Sequence, residues 1–390
     1  MGVFLLDFSC FAAPKQLRKS RGETLDLLTK GWKFDNDALS TMRKGFFGGG
    51  AGIGDATGIP ASIVDNKPFD LSMDAAIAEM EMVIYSVVEN TLQASNLGPS
   101  EVDIFITATD TYVPVPSMSA IIANRFKMRS DVRTYSLGGH ACTSGIIAVE
   151  LAQQLLKAAK GKVALLVLHE NCTAGFSRSN VKACCAGNVL FRLNGVALVL
   201  TNRPEDRRRA KYELMHTKCT LLSNDAAFNC VKVREAADGE TGVFLQKNDV
   251  LASASQSIKL TLTKLGPLIL PLSELVRVAC NRKYKPTLAS AFNHILIHTA
   301  AAAVITAVAQ GLGLEPKAAI PSSETLERFG CTMMCSTYYI LANIESQNAV
   351  RKGDRILQLG FGAGFECGAA FWRALRDVKD AKHKAWEPYV

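Results

Sequence analysis

Two rhythms of apolar and polar positions run along this chain. Short apolar runs read as strands: Val3 to Phe8, Val102 to Thr109, Lys162 to Leu168, Asn194 to Thr201, Phe292 to His298 and Arg355 to Gly360. Thr134 to Leu137 reads as another, and a last one passes through Ala369 to Trp372. Longer stretches with apolar residues three and four apart read as helices. These are Met73 to Leu97, capped by Ser72 or Asp70, Ser117 to Phe126 after the Pro114 and Pro116 turn, Val250 to Leu262, Ala300 to Gln310, and one around Thr337 to Asn348. Residues 1–70 form an irregular N-terminal segment beyond their first strand. After a basic linker, Arg203 to Lys211, the series restarts with strands at Lys211 to Leu221 and Asn229 to Val233. Strands alternating with helices twice over predict an α/β fold made of two similar halves, residues 1–205 and 206–390.

One stretch stands apart. In Thr134-Tyr135-Ser136-Leu137-Gly138-Gly139-His140-Ala141-Cys142-Thr143-Ser144-Gly145, two glycines permit a tight turn and a cysteine follows. The Ile146, Val149, Leu151, Leu155 and Leu156 pattern then predicts a largely buried helix. Cys142 near that helix's N-terminus would have its thiolate stabilised by free N–H groups and the dipole. Strand, turn, cysteine and helix form the thiol counterpart of a nucleophile elbow. The competing reading is a small buried cysteine in a Gly-rich turn.

Composition narrows the classes. With 48% apolar and 21% charged residues over 390 positions, the chain is an ordered globular protein with room for two domains or two fused halves. The net charge of +8 is scattered, apart from Arg207-Arg208-Arg209 with Lys211. No basic and aromatic alternation suggests a nucleic-acid platform. A basic surface suits anionic partners, such as coenzyme A phosphates or an acidic membrane face, or is simply solvated. The 11 cysteines show no regular framework and no Cys-x-x-Cys pair, so reduced thiols without a metal are expected. No window is long and apolar enough for a transmembrane helix, and Met1 to Leu6 is not a signal peptide. The Gly48 to Gly54 patch lacks the Lys-Ser/Thr of a phosphate loop and reads as an open loop.

Six histidines make the search for a general base short: His140, His169, His216, His294, His298 and His383. His298 closes the strand Phe292 to His298 just before a helix, the strand end where α/β sites form. His294 shares its face and is assigned a supporting role. The turn Gly360 to Gly364 can offer backbone N–H groups to an oxyanion.

Together these stretches resemble plant-type 3-ketoacyl-CoA synthases, the condensing enzymes of very-long-chain fatty acid elongation. The resemblance rests on Gly-Gly-x-x-Cys-x-x-Gly at Gly138 to Gly145 and on Gly187-Asn188-Val189-Leu190-Phe191-Arg192-Leu193-Asn194-Gly195. Tyr212-Glu213-Leu214-Met215-His216-Thr217, Gly266 to Glu274, Arg328-Phe329-Gly330 and Lys352-Gly353-Asp354-Arg355 extend it from Val3 to Trp372. It implies the thiolase fold, two βαβαβ-type halves in stacked α/β layers. It implies that Cys142 accepts the acyl group of an acyl-CoA and that His298 assists decarboxylation of malonyl-CoA. The backbone N–H groups of Cys142 and Ala363 would hold the oxyanion, with His294, His216, Gly362 and Gly364 in support. Coenzyme A thioesters are then substrates, with no bound cofactor. The partners implied are a second copy or a related synthase in a dimer, and other elongation enzymes. The resemblance places the protein on the cytosolic face of the endoplasmic reticulum; the chain alone, without the family's N-terminal membrane helices, reads as cytosolic.

The sequence also departs from the family. The family's Gly-Asn-Thr-Ser is Gly330-Cys331-Thr332-Met333 here, so Cys331 stands at the position of the catalytic Asn. A thiol is a weak donor where the family has an amide. The family's His-Ala-Gly-Gly is His298-Thr299-Ala300-Ala301, and two further family histidines are Leu221 and Glu327. Two alternatives therefore stand beside the synthase: a catalytically weakened homologue acting as partner or regulator of active elongation enzymes, and a soluble polyketide-type condensing enzyme.

Overall fold

The computed structural model of the protein describes residues 2–65, 67–281, 288, 291–379 and 381–387. Its strands are β1 (Phe4–Cys10), β2 (Arg18–Lys19), β3 (Thr57–Gly58), β4 (Ile104–Ala108), β5 (Arg133–Leu137), β6 (Val163–Leu168) and β7 (Val196–Thr201). Then follow β8 (Tyr212–Leu221), β9 (Val231–Glu235), β10 (Thr241–Leu245), β11 (His294–Ile297), β12 (Arg355–Gly362) and β13 (Glu366–Ala374). Nine of them form one mixed sheet in the order β11-β12-β13-β8-β1-β7-β6-β4-β5. The five strands from the first half and the four from the second meet at β1 and β8. Only two residue pairs join them there, Phe4 with Glu213 and Leu5 with Tyr212.

Strands β4, β6 and β7 are buried along their whole length on both faces, which is why they read as continuous apolar runs. In β6, Val163, Leu165 and Val167 pack against helix Met73–Ala94, while Ala164, Leu166 and Leu168 turn to the other face. That second face packs on helix Ser144–Ala158, and the same cluster takes in helix Ser336–Ser346 with Leu296, Ile356 and Trp372 of the second half. The two helices thus lie between the two groups of strands. Helix Lys247–Ile269 covers β8 and β13 from outside. The result is helix, sheet, helix pair, sheet and helix in layers, the α/β arrangement of two similar halves expected from the sequence.

Most predicted elements form within a few residues of their expected bounds. Ser72 caps Met73–Ala94 by accepting from the Ala75 N–H at 3.2 Å, and Ser117 caps Met118–Phe126 from Ala120 at 3.3 Å. The N-terminal segment is a correction. It is not irregular but carries helices Arg21–Gly31 and Asn36–Phe47. Ser20 and Glu23 form a capping box, and Ala38, Met42 and Phe46 make a buried stripe four residues apart. Both signals were in the sequence, but the stripes are short. In the basic linker several of the cations are paired. Arg209 pairs with Asp206 at 2.8 Å, and the buried Lys211 amine bonds Asp7 at 2.7 Å and Glu345 at 2.8 Å.

Candidate active site

Cys142 sits in a short 3₁₀ turn, Ala141–Thr143, between the end of β5 and helix Ser144–Ala158. The chain gets there through left-handed backbone at Gly139 (φ 88°) and, unusually for a residue with a side chain, at Ala141 (φ 46°). The turn is pressed from behind by β12. A methyl group on Gly362 would stand 2.7 Å from the Cys142 nitrogen, and one on Gly360 3.3 Å from the Cys142 carbonyl oxygen. Neither glycine can carry a side chain without moving the nucleophile turn.

A carboxylate braces the turn from the other side. Asp110, two residues past the end of β4, accepts from the His140 N–H at 2.9 Å and from the Ser144 hydroxyl at 2.8 Å, with further backbone bonds from Gly139 and Ala141. Glu170, two residues past the end of β6, lies beside it. Its Oε1 accepts from the Asp110 N–H at 3.1 Å and the Thr111 N–H at 2.5 Å, while its buried Oε2 has no partner. Burial and the Asp110 charge push Glu170 up to about 8, so it holds its proton at neutral pH.

The expectation of a stabilised thiolate is not met. Burial, and then the neighbouring Cys331, Glu170, Asp110 and Cys335, push the Cys142 thiol well above its ordinary value. The 3₁₀ turn also sets Cys142 ahead of the helix's first residue, and two carboxyl groups stand near where the dipole would act.

His298 follows β11 directly and is buried. Its Nδ1 lies 2.6 Å from the Ser336 hydroxyl, and its ring meets Phe361 edge-on with centroids 5.2 Å apart. Burial drives its pKa down to about 4, against the pull of a backbone hydrogen bond to Met333, so the imidazole is neutral at physiological pH. Cys331 is also buried, and its backbone pairs with the Gly187–Gly195 stretch. Its N–H donates to the Leu190 carbonyl at 3.0 Å, and its carbonyl accepts from the Arg192 N–H at 3.2 Å. Burial pushes the Cys331 thiol up to about 12, so it is a neutral, weak donor.

The turn beyond Cys331 repeats the nucleophile turn. Met333 is left-handed (φ 43°), the 3₁₀ turn Met333–Cys335 follows, and helix Ser336–Ser346 begins at a serine. In the first turn the helix-opening Ser144 bonds Asp110, which follows β4. In the second, Ser336 bonds His298, which follows β11. The two turns pack together: a methyl group on Gly145 would stand 2.6 Å from the Met334 carbonyl oxygen.

The predicted supporting residues divide. Gly362 backs the Cys142 turn as described, and Ala363 opens the following turn, Ala363–Phe365. Gly364 takes left-handed backbone (φ 126°) between Glu366 and Leu221. The two supporting histidines lie elsewhere. His294 starts β11, about 13 Å along the strand from His298 at ~3.3 Å per residue, and bonds Asp354 at 3.2 Å. His216 stacks on Phe371 in the middle of β8. Sequence reasoning missed Asp110, Glu170 and Ser336. The rule applied to His298, a polar residue just past a strand's C-terminal end, fits both carboxyl groups but does not single them out among the chain's 36 acidic residues.

Comparison with known proteins gives a consistent answer. Residues 1–285 match the family model described as FAE1/Type III polyketide synthase-like protein, and residues 287–374 that of the 3-oxoacyl-[acyl-carrier-protein] synthase III C terminal. 3-Ketoacyl-CoA synthase 4 of Arabidopsis thaliana is 37% identical, over 100% of this chain and 77% of its own length. 3-Ketoacyl-CoA synthase 17 of the same plant is 36% identical, over 99% and 81%. Among solved structures, a fungal type III polyketide synthase, ORAS, superposes with TM-score 0.78 at 16% identity over 96% of this chain and all of its own. CsyB complexed with CoA-SH gives 0.77 at 16% identity over 95% of this chain and 100% of its own. At those identities the structures speak for the fold, which is the thiolase fold, and the curated relatives speak for the family. The chain belongs to the 3-ketoacyl-CoA synthases, condensing acyltransferases of fatty acid elongation.

Proposed function

We propose that the chain condenses a long-chain acyl-CoA with malonyl-CoA through a thioester on Cys142. The observation that carries this reading is the placement of Cys142 on a braced turn, held between the Asp110 carboxylate and Gly362 of β12. The Cys142 sulfur attacks the acyl carbonyl, the bond to coenzyme A breaks, and coenzyme A leaves with the proton. Malonyl-CoA then loses CO2, and its carbanion attacks the thioester to release a 3-oxoacyl-CoA and the Cys142 thiolate, which takes a proton from water. The N–H groups of Cys142 and Ala363 serve the oxyanion. A neutral His298, whose ring is oriented by Ser336, offers a donor to the malonyl carbonyl oxygen.

Cys331 at the family's Asn position favours a second reading, a slow synthase that pairs with active elongation enzymes. We also propose a dimer. β5 is the outermost strand of the nine-stranded sheet, it leads into the Cys142 turn, and Arg133, Thr134 and Ser136 on it are exposed. Work at the cytosolic face of the endoplasmic reticulum fits acyl-CoA substrates; no helix among the described residues is long and apolar enough to cross a membrane.

The test of the main reading is intact-mass spectrometry after incubation with a long-chain acyl-CoA. One acyl adduct is expected, absent from Cys142→Ser. An adduct that persists in Cys142→Ser removes Cys142 from the mechanism.

A further inference from the structure

The Cys142 thiol needs to ionise in surroundings that already hold two carboxyl groups. Asp110 is the better supplied with donors: burial raises its pKa, but the His140 N–H, the Ser144 hydroxyl and two more backbone N–H groups point at it and oppose that rise. Glu170 has the opposite setting. Its Oε1 accepts from the Asp110 and Thr111 N–H groups, the Thr111 side chain adds to them, and the buried Oε2 has no hydrogen-bond partner among the described residues. A charged carboxylate with one bare, buried oxygen is costly, and a protonated one is much less so. Glu170 and Asp110 are also joined directly, since the backbone of one is bonded by the side chain of the other. The ionisable groups that face Glu170 are Asp110 on the loop after β4, Cys142 on its turn, Cys172 on Glu170's own segment, and Cys331 and Cys335 around the second turn. These five are acids and disfavour a negative charge at Glu170; the buried cation beside the same cluster, Arg192, acts on Cys172 and Cys331.

We propose that Asp110 and Glu170 hold one proton between them beneath the Cys142 turn, and that its loss from Glu170 suppresses the Cys142 thiolate. Glu170 is on this account a positioning residue for the charge state of the site, and it acts on the nucleophile across the Asp110 brace. The inference deepens the proposed function and rests on Cys142 as nucleophile. While Glu170 is protonated, one negative charge lies under the turn, and its donors are directed at it. When Glu170 gives its proton to water, a second charge appears beside the first, and the thiol must then ionise against both. More alkaline solution therefore stops helping. Each further pH unit would free more thiolate, but over the range in which Glu170 loses its proton that loss opposes the gain, and the rise stalls there.

The experiment is the pH dependence of Cys142 alkylation by iodoacetamide, read by mass on the Cys142 peptide in the full chain. In the parent, the rate is expected to rise at neutral pH and flatten in the mildly alkaline range. Glu170→Gln mimics the protonated carboxyl and keeps an oxygen for the Asp110 and Thr111 N–H groups. Its rate is expected to climb past the parent's plateau and exceed it about tenfold one pH unit above the break, because one unit of suppressed ionisation is a factor of ten. Glu170→Asp, which can still ionise, restores the plateau. A parent rate that rises tenfold per pH unit through about pH 9.5 without a break overturns the proposal, and needs no variant. So does a Glu170→Gln profile that superposes on the parent's. Alkylation reads the thiol itself. A chain whose Cys142 takes no acyl group would therefore overturn the proposed function while leaving this result to stand or fall alone.

Discussion

At the scale of single residues, the site's most consequential change is Cys331. Its backbone is held in place by Leu190 and Arg192, so the position is preserved while the donor is weakened. On the proposed mechanism, formation of the Cys142 thioester does not use that donor, and decarboxylation of malonyl does. Cys331→Asn is therefore expected to raise CO2 release from malonyl-CoA by up to about 10²-fold, the usual worth of one such donor, with acyl-adduct formation little changed. Undiminished CO2 release by the parent would show that the amide is dispensable here. No gain in the variant would favour the regulatory reading. The placement of Cys142 on a turn between strand and helix, and of His298 just past a strand end, was legible in the sequence from the Gly-Gly turn and from the scarcity of histidines. The carboxyl groups were not, since acidic residues are many and nothing in a linear pattern says that Asp110 and Glu170 share a strand edge. Nor could the sequence say which way the Cys142 thiol shifts. A position before a helix argues for thiolate, and only the packed structure reveals that burial and nearby acids win.

At the scale of elements, helix Ser336–Ser346 carries the heaviest demands. Its residues from Ser336 to Glu345 are all buried, so Glu345 enters the interior with its charge. Lys211 answers at 2.8 Å, His383 at 2.7 Å and the Tyr212 hydroxyl at 2.7 Å. This cluster ties the helix to β8 and to the C-terminal segment. It holds Glu345 down at about 2 despite burial, chiefly through Lys211. A carboxyl whose folded value lies below its unfolded value, about 4.3, gives stability above the unfolded value and loses it as pH falls through the folded one. Urea midpoints are expected to drop between about pH 4.5 and 2 in the parent. Glu345→Gln should cost about 1.5–3 kcal/mol at neutral pH, since Lys211 keeps Asp7 but loses one charged partner, and should flatten that acid limb. An unchanged midpoint at neutral pH would mean that the cluster contributes no net stability. The pattern of this helix was readable only around Thr337 to Asn348, because a helix buried on all sides lacks the polar face by which bounds are judged. The strands were easier, since burial on both faces leaves long apolar runs such as Val163–Leu168.

At the scale of the whole molecule, the sheet ends at β5 with an open edge beside the nucleophile turn. Open edges are seldom left unpaired or unprotected. Light scattering at micromolar concentration is expected to give the mass of a dimer, and a proline at Thr134 to give the monomer; a monomeric parent that also ignores a co-expressed synthase would end the idea. The nearby helix Met118–Phe126 turns Met118 and Ile122 into its own core, so the strand edge is the candidate for the contact. The twin turns at Ala141 and Met333 bear on how such a molecule can change. One frame is laid down twice, left-handed residue, tight turn, serine, helix, and each copy grips a different polar group. The frame is backbone, and its contents are side chains. Contents can therefore be exchanged one at a time, as an amide for the thiol of Cys331, without the frame losing its shape. A lineage that inherits this architecture can turn its chemistry down, redirect it or bring it back while keeping the same fold.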